Sequence, residues 1–406
     1  MTRADVFRDP IRMEDALSTE YLPIYGNKYN KMPNLDELAR KGTIFTRYYT
    51  AAPSSAMSYI SMFTGKYPHQ TDRRNYSPIQ GKHNDLPNMY DNFAAKGYAC
   101  HVLWDIRWYE NAYIYSKCFG KSTIFHNMNI EQVAGCHNNS NNTLKNNETL
   151  SQESLKVIKD EIKSIANANE PKLFLWVHLP HVLKGRTGYG TDMDLFDDII
   201  GYLRELFGDD SIFISSDHGN MNGWHNKITY GFDVYEPAIR IPLITPRIDG
   251  KEIYDTPTSN IRIAQILEEN LPVDEFIYSD CAYYAQQTRK LAIIHGNYKY
   301  IYNKSTKSEE LYDLRYDPTE RCNIISKLVL DPDRKKIYKL DEAYFYPYWE
   351  ESEKEREILR AEWKRIWKEG SKLKNWEESI RKFLKKFSIV QKLKSIILDI
   401  NKKRER

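Results

Sequence analysis

Ser215-Ser216-Asp217-His218-Gly219 holds the clearest chemical potential in this chain of 406 residues. A carboxylate and an imidazole stand side by side, and both are competent ligands for a divalent cation. They follow Ser211-Ile212-Phe213-Ile214, a short apolar, β-branched run of the kind that forms a buried strand. A strand that stops at Asp217-His218 delivers both side chains to the carboxyl end of a sheet, where open α/β folds keep their ligands. Read alone, the pair serves a turn as well as a metal. His225 and Lys227 lie just downstream, ahead of Tyr235-Glu236-Pro237-Ala238-Ile239-Arg240-Ile241-Pro242-Leu243.

Other segments present further candidates. Lys172-Leu173-Phe174-Leu175-Trp176-Val177 reads as a second buried strand and ends at His178-Leu179-Pro180-His181. Those histidines fit core and loop roles equally well. Glu14-Asp15 precedes Tyr25-Gly26 and then Pro33-Asn34-Leu35-Asp36-Glu37-Leu38-Ala39, a helix opened by proline. Ser54-Ser55 stands before an apolar stretch that runs to Thr64-Gly65, and serine is a good helix N-cap.

Taken together, these segments resemble the active-site framework of the sulfatase family, in the alkaline phosphatase superfamily. That family shows an acidic strand end, Tyr-Gly, Thr-Pro-Asn-Leu-Asp-x-Leu-Ala, a nucleophile before Thr-Gly, and a strand ending in His-x-x-Pro-His. Ser-Asp-His-Gly or Ser-Asp-Asn-Gly, a His, a Lys and Tyr-Glu…Ile-Arg-Val-Pro-Leu complete it. Near the carboxyl end, Gly296-Asn297-Tyr298-Lys299-Tyr300-Ile301 and Glu310-Leu311-Tyr312-Asp313-Leu314 resemble the signatures of the family's small antiparallel subdomain. The likeness runs from about residue 11 to about residue 325.

The resemblance implies an α/β fold: an alkaline-phosphatase-like sandwich with a mainly parallel central sheet and a small C-terminal antiparallel subdomain, followed outside the resemblance by a helical tail. Residues 1–275 form the catalytic domain, 276–330 the subdomain and 331–406 a basic amphipathic helical tail. It implies one divalent cation (Ca, Mg, Mn or Zn) held by Glu14, Asp15, Ser55, Asp217 and His218, with Ser55 also the nucleophile. Lys227 and His181 would offset charge on the transferred group, and His225 would donate a proton to the leaving oxygen. The implied activity is metal-dependent hydrolysis of a sulfate or phosphate ester on a small molecule or saccharide. Two alternatives stand beside it: a phosphoethanolamine-transferase-like enzyme modifying an envelope or saccharide hydroxyl, and a non-catalytic binding protein with the same fold.

Three departures from the family pattern shape the expectations. The maturation signal Cys/Ser-x-Pro/Ala-x-Arg is replaced by Ser55-Ala56-Met57-Ser58-Tyr59, so an unmodified serine is expected in place of formylglycine. The sulfate-contacting Gly-Lys-Trp-His-Leu-Gly is replaced by His101-Val102-Leu103-Trp104-Asp105-Ile106-Arg107-Trp108, which offers only the Arg107 cation. Both changes favour phosphorus chemistry. The segment before Asp15 is charged and contains Pro10, so its strand is expected to be short and irregular, unless the chain starts inside a longer ancestral sequence.

Bulk properties narrow the classes. Apolar residues make up 41% and charged residues 28%, ordinary values for a globular protein with a sizeable core. The net charge of +3 hides an asymmetry: residues 351–406 hold 18 Lys/Arg against 10 Asp/Glu, leaving the remainder at −5. A mildly acidic body argues against nucleic acid as a partner. The five cysteines form no Cys-x-x-Cys pair, which disfavours a disulfide framework or thiolate zinc site. No signal-peptide core or membrane-length apolar run is present, which points to the cytoplasm unless the amino terminus is truncated. In the tail, Trp363, Ile366 and Trp367 share one helical face, and an apolar stripe opposed by lysines continues to Leu393. Such helices pack on the body or on a second copy, or lie on a membrane surface.

Overall fold

The computed structural model describes residues 8–14, 16–70, 88–104, 123–127, 152–168, 170–179, 191–227, 229–281, 289–325 and 351–368. An eight-stranded sheet forms the centre, in the order β5-β4-β6-β1-β7-β8-β2-β9. Its strands are β1 (Arg8–Glu14), β2 (Thr43–Phe45), β4 (Ala99–Trp104), β5 (Thr123–Asn127), β6 (Leu173–Leu179), β7 (Phe213–Ser216), β8 (Leu243–Thr245) and β9 (Ile253–Tyr254). All pairings from β5 to β7 are parallel, and β8 runs antiparallel to both β7 and β2. A two-stranded pair, β3 (Tyr48–Tyr49) with β10 (Thr258–Ser259), lies outside it.

Every residue of β6 is buried, because a parallel strand in this sheet is covered on both faces. The side-chain alternation of a strand then sorts its residues into two cores. Leu173, Leu175, Val177 and Leu179 join a cluster with helices α1 (Pro33–Lys41), α4 (Gln152–Asn167) and α5 (Thr191–Phe207). Phe174 and Trp176 join the other, with α2 (Ser55–Thr64), α3 (Met89–Ala95) and α7 (Ile263–Leu267). Each large apolar side chain so buried contributes roughly 1.5–3 kcal/mol. At the start of α1 the Asp197 carboxylate accepts the N–H groups of Asn34 and Leu35 at 3.1 and 2.8 Å, so α5 caps α1 across the layer.

β1 corrects one sequence expectation. It is a regular strand of seven residues at the centre of the sheet, paired with β6 throughout and with β7 from Ile11 onward. Pro10 is tolerated because β7 begins only opposite Ile11. At that position β1 has a neighbour on one side only, the edge-like condition under which a strand accommodates proline.

The carboxyl-terminal sheet is antiparallel, with β11 (Ile277–Asp280), β12 (Lys290–His295), β13 (Tyr298–Asn303) and β14 (Ser308–Asp313) in chain order. It is joined to the main body by a buried ion cluster. Lys299 of β13 lies 3.1 Å from Glu236 and 2.7 Å from Glu320, and Glu320 also accepts the Glu236 N–H at 2.6 Å. The helix over residues 351–368 packs on this sheet. Leu359 and Ile366 are buried there, Trp363 lies 3.9 Å from the Tyr302 ring, and Arg356 pairs with Glu309. The face carrying Trp363 and Ile366 is therefore occupied within the chain; residues 369–406 lie outside the described residues. No helix among the described residues is long and apolar enough to cross a membrane.

Candidate active site

β7 ends at Ser216, and Asp217 and His218 follow it into the space beyond the carboxyl edge of the sheet, both fully buried. The chain there is tightly directed. Ser216 Oγ donates to the His218 carbonyl at 2.7 Å and accepts the Leu17 N–H at 2.9 Å. Glycine is required next: a Cβ at Gly219 would lie 2.0 Å from the carbonyl oxygen of Pro237, and the Gly219 N–H bonds Ala238 O at 2.9 Å. The crowding comes from a four-residue helix, α6 (Glu236–Ile239), inside the Tyr235–Leu243 string.

Ser55 is the first residue of α2, directly after Ser54, which takes the extended N-cap conformation without making a side-chain cap bond. The Ser54 hydroxyl is buried and has no hydrogen-bond partner among the described residues. Ser55 Oγ lies 3.1 Å from His218 Nε2. The tautomer follows from the other ring nitrogen. His218 Nδ1 faces the carbonyl of Gly219 at 2.8 Å, and a carbonyl only accepts, so Nδ1 carries the proton. Nε2 therefore presents a lone pair toward the serine hydroxyl.

Asp217 completes the described cluster. Its Oδ1 accepts the N–H groups of Ala16 and His218 at 3.1 and 2.9 Å. Its Oδ2 is buried with no hydrogen-bond partner among the described residues, 3.5 Å from His218 Nε2. An ionised oxygen in that condition is costly unless a cation completes its environment. Oxygen, imidazole nitrogen and hydroxyl together form a donor set suited to a divalent cation. Among the described residues no group of three His, Cys, Asp or Glu side chains converges as a metal site. The Glu14 side chain and Asp15 lie outside the described residues, although Glu14 ends β1 beside Ser216 and Ala16 reaches Asp217.

The remaining sequence candidates are placed differently. His181 lies outside the described residues, as does Arg107. His178 is buried in β6 and shares a 2.7 Å hydrogen bond with Tyr59 of α2, a structural position. Lys227 is half exposed, with its ammonium 3.8 Å from Asp233, whose other oxygen pairs with Lys290. Among the described residues it makes no contact with the Ser55–His218 cluster. His225 has left-handed backbone and lies flat on Tyr235, with ring centroids 3.9 Å apart and planes 8° from parallel. Burial holds its pKa below the ordinary histidine range, which favours the neutral ring in the free protein. An anionic ester arriving beside it would draw the pKa back up. His225 lines a cavity of about 560 Å³ with Asn222, Gly223, Trp224, Asn226 and Arg321.

The sulfatase family model matches residues 11–182. The uncharacterized sulfatase YidJ of Escherichia coli strain K12 is 21% identical over 427 aligned residues, 80% of this chain and 84% of the relative. Over residues 11–182 the chain carries the sulfatase family's sequence pattern. At the level of class it is an ester hydrolase. Two solved structures share the fold. A 2-O GAG sulfatase is 15% identical with a TM-score of 0.61, covering 87% of this chain and 94% of that one. The phosphonate monoester hydrolase of Agrobacterium radiobacter is 14% identical with a TM-score of 0.57, covering 84% and 95%.

Several residues that shape this site were not singled out from sequence. Ser58 Oγ donates to the Asp217 carbonyl at 2.6 Å, and Asn260 Nδ2 donates to Ser58 Oγ at 2.9 Å. Thr50 Oγ1 lies 2.9 Å from the same Ser58 oxygen. This buried network fixes the first turn of α2 against the end of β7. Tyr230 covers the His218 ring at 4.3 Å between centroids. Only Asn260 and Tyr230 have side chains whose sequence context could have drawn notice, and neither sits in a recognisable spacing.

Proposed function

We propose that this chain is a metal-dependent hydrolase of a sulfate or phosphate ester that uses Ser55 as an unmodified oxygen nucleophile. The observation that carries the reading is the convergence of Ser55 Oγ and the orphaned Asp217 Oδ2 on His218 Nε2, at 3.1 and 3.5 Å. Asp217, His218 and Ser55, with Glu14 and Asp15 from the end of β1, would hold one divalent cation. When bound, such a cation supplies Lewis acidity, lowering the pKa of an oxygen nucleophile and offsetting ester charge.

The protein's own groups account for the remaining steps. The position of Ser55 at the first turn of the ten-residue α2 gives its hydroxyl the favourable potential of a helix amino terminus, which also attracts an incoming anion. The Ser58–Asn260 network holds that turn, so little reorganisation is needed when the ester binds. Ser55 Oγ, its proton released to solvent, attacks sulfur or phosphorus, and the bond to the leaving oxygen breaks as His225, protonated beside the anionic ester, donates a proton to it. Lys227 and His181 would offset charge on the non-bridging oxygens. Water then resolves the sulfo- or phospho-serine.

Support for phosphorus over sulfur comes from two sequence features, the absent Lys/His pair near 101–108 and the incomplete maturation signal around Ser55. A saccharide as the leaving moiety is supported by the GAG sulfatase among the structural relatives. The test is turnover of 4-nitrophenyl sulfate and 4-nitrophenyl phosphate with added Ca, Mg, Mn or Zn, by the wild type and by Ser55→Ala. Loss of all metal-dependent turnover in the variant is expected. Full retention would remove Ser55 as nucleophile, and a Ser55 peptide mass other than that of serine would remove the unmodified hydroxyl.

A further inference from the structure

The cavity beside His225 has a composition that the hydrolase reading does not use. Six residues line it, Asn222 to Asn226 and Arg321, and none is acidic. Arg321 comes from the turn after β14, brought in from the carboxyl-terminal subdomain. Its guanidinium sits over the Trp224 ring, 5.6 Å from the centroid, and forms no ion pair among the described residues. A guanidinium held on an aromatic face keeps its N–H fork available in a fixed plane, which matches a carboxylate, sulfate or phosphate.

The lining is also prearranged. Trp224 Nε1 donates to Glu20 at 2.8 Å, fixing the indole, and the Asn222 amide donates to the Tyr21 hydroxyl. Asn222, Gly223, His225 and Asn226 all have positive φ, between 43° and 97°. Such backbone is costly for residues other than glycine and clusters at ligand clamps. On the other side, the Asp317 carboxylate accepts the Arg321 and Cys322 N–H groups at 3.0 and 2.7 Å, which anchors the chain that presents the guanidinium. A volume of about 560 Å³ lies in the range of small-molecule pockets.

We infer that this cavity is an anion subsite in which Arg321, seated on Trp224, binds a second negatively charged group of the substrate. The inference rests on the hydrolase reading: His225, the proposed proton donor to the leaving oxygen, forms part of the same wall, so the cavity receives the leaving moiety. The substrate is then a polyanion whose leaving moiety bears a carboxylate or a further sulfate or phosphate, and not a simple monoester.

Calorimetric titration of the full-length, metal-loaded Ser55→Ala protein tests this without turnover. Three ligands are compared: an O-sulfated disaccharide with a hexuronate carboxylate, its carboxyl-reduced counterpart, and a counterpart with a sulfate at the reduced position. The charged forms should bind about tenfold more tightly than the neutral one, the scale of a charge-assisted hydrogen-bond pair. Adding Arg321→Met should bring the charged ligands down to the affinity of the neutral one, and Arg321→Lys should restore part of the preference. Preference for the carboxylate form or for the sulfate form identifies which anion the fork recognises. Equal binding of all three ligands, no binding of any, or a preference that survives Arg321→Met in a protein of unchanged thermal midpoint would overturn the subsite. A wild type that discriminates among the ligands but hydrolyses none of them, and neither 4-nitrophenyl sulfate nor 4-nitrophenyl phosphate with any of the metals, removes the hydrolase reading and leaves the subsite standing.

Discussion

Ser58 Oγ donates to the carbonyl oxygen of Asp217 at 2.6 Å, a buried bond between residues far apart in the chain. It joins the helix bearing the nucleophile to the loop bearing the metal-competent carboxylate. Ser58→Ala would leave the Asp217 carbonyl and the Asn260 amide without this partner, a cost of about 1–3 kcal/mol. The expected result is a lower urea midpoint together with a fall in kcat larger than any change in KM, because Ser55 loses its register with His218. A variant of wild-type stability and turnover would show that the bond positions nothing.

Cation binding should be visible without activity. Asp217 Oδ2 is buried and unpartnered among the described residues, so a divalent cation that it ligates stabilises the folded chain by mass action. At a hundredfold excess over Kd the gain is about 2.7 kcal/mol. Chelator-stripped protein should melt at a lower temperature, and one of Ca, Mg, Mn or Zn should restore the midpoint. Asp217→Asn removes the charge with little change in shape and should abolish the restoration. Retention of the full metal-induced shift in that variant excludes Asp217 as a ligand.

Glu20 supplies a pH dependence of defined sign. Burial pushes its carboxyl from the ordinary 4.5 up to about 7, against the Trp224 N–H and the Arg240 charge, which act the other way. The folded state therefore holds this proton more tightly than the unfolded chain. Its contribution to stability is complete below about pH 4.5 and is lost as pH rises through about 7. Glu20→Gln keeps an acceptor for the indole and should flatten that part of the decline. Urea midpoints measured across the interval for both proteins provide the comparison, and superimposable profiles would contradict the assignment.

The helix over residues 351–368 is expected to be integral to the carboxyl-terminal sheet. Leu359 is fully buried among Tyr298, Tyr300 and Leu311. Leu359→Ala should cost about 2–5 kcal/mol through lost burial and the cavity left behind. Hydrogen exchange should show the loss of protection concentrated in β12 and β13, with the β6–β1–β7 core unaffected. Uniform protection in the variant would mean that the helix adds nothing to the sheet.

The sequence displays Asp217-His218 and the β6 run because each is local: a few consecutive apolar residues, then a polar stop. Ser55 was legible through its distance from Thr64-Gly65. The β1 strand was misjudged because Pro10 and its charged neighbours obey a rule for strands with two neighbours, and the extent of β7 is not written near residue 10. The Ser58–Asn260–Thr50 network was illegible for a related reason. Each member is an ordinary polar residue whose role arises only when residues 50, 58, 217 and 260 meet. Lys227 shows the converse: its place in a familiar string did not foretell Asp233 as its neighbour. Arg321 gave no signal at all, because nothing in its own stretch reveals Trp224 beneath it.

The central place of β1 has a consequence for how the chain is made. β1 is bordered by two strands that end at Leu179 and Ser216, so on the ribosome it waits unpaired until those distant segments have been made. Pairings this distant in sequence form late and expose the waiting segment to wrong partners. Arginine, aspartate and proline within Arg8–Glu14 make that segment a poor template for aggregation during the delay. The composition that disguises β1 as something other than a core strand also shields it until its partners arrive.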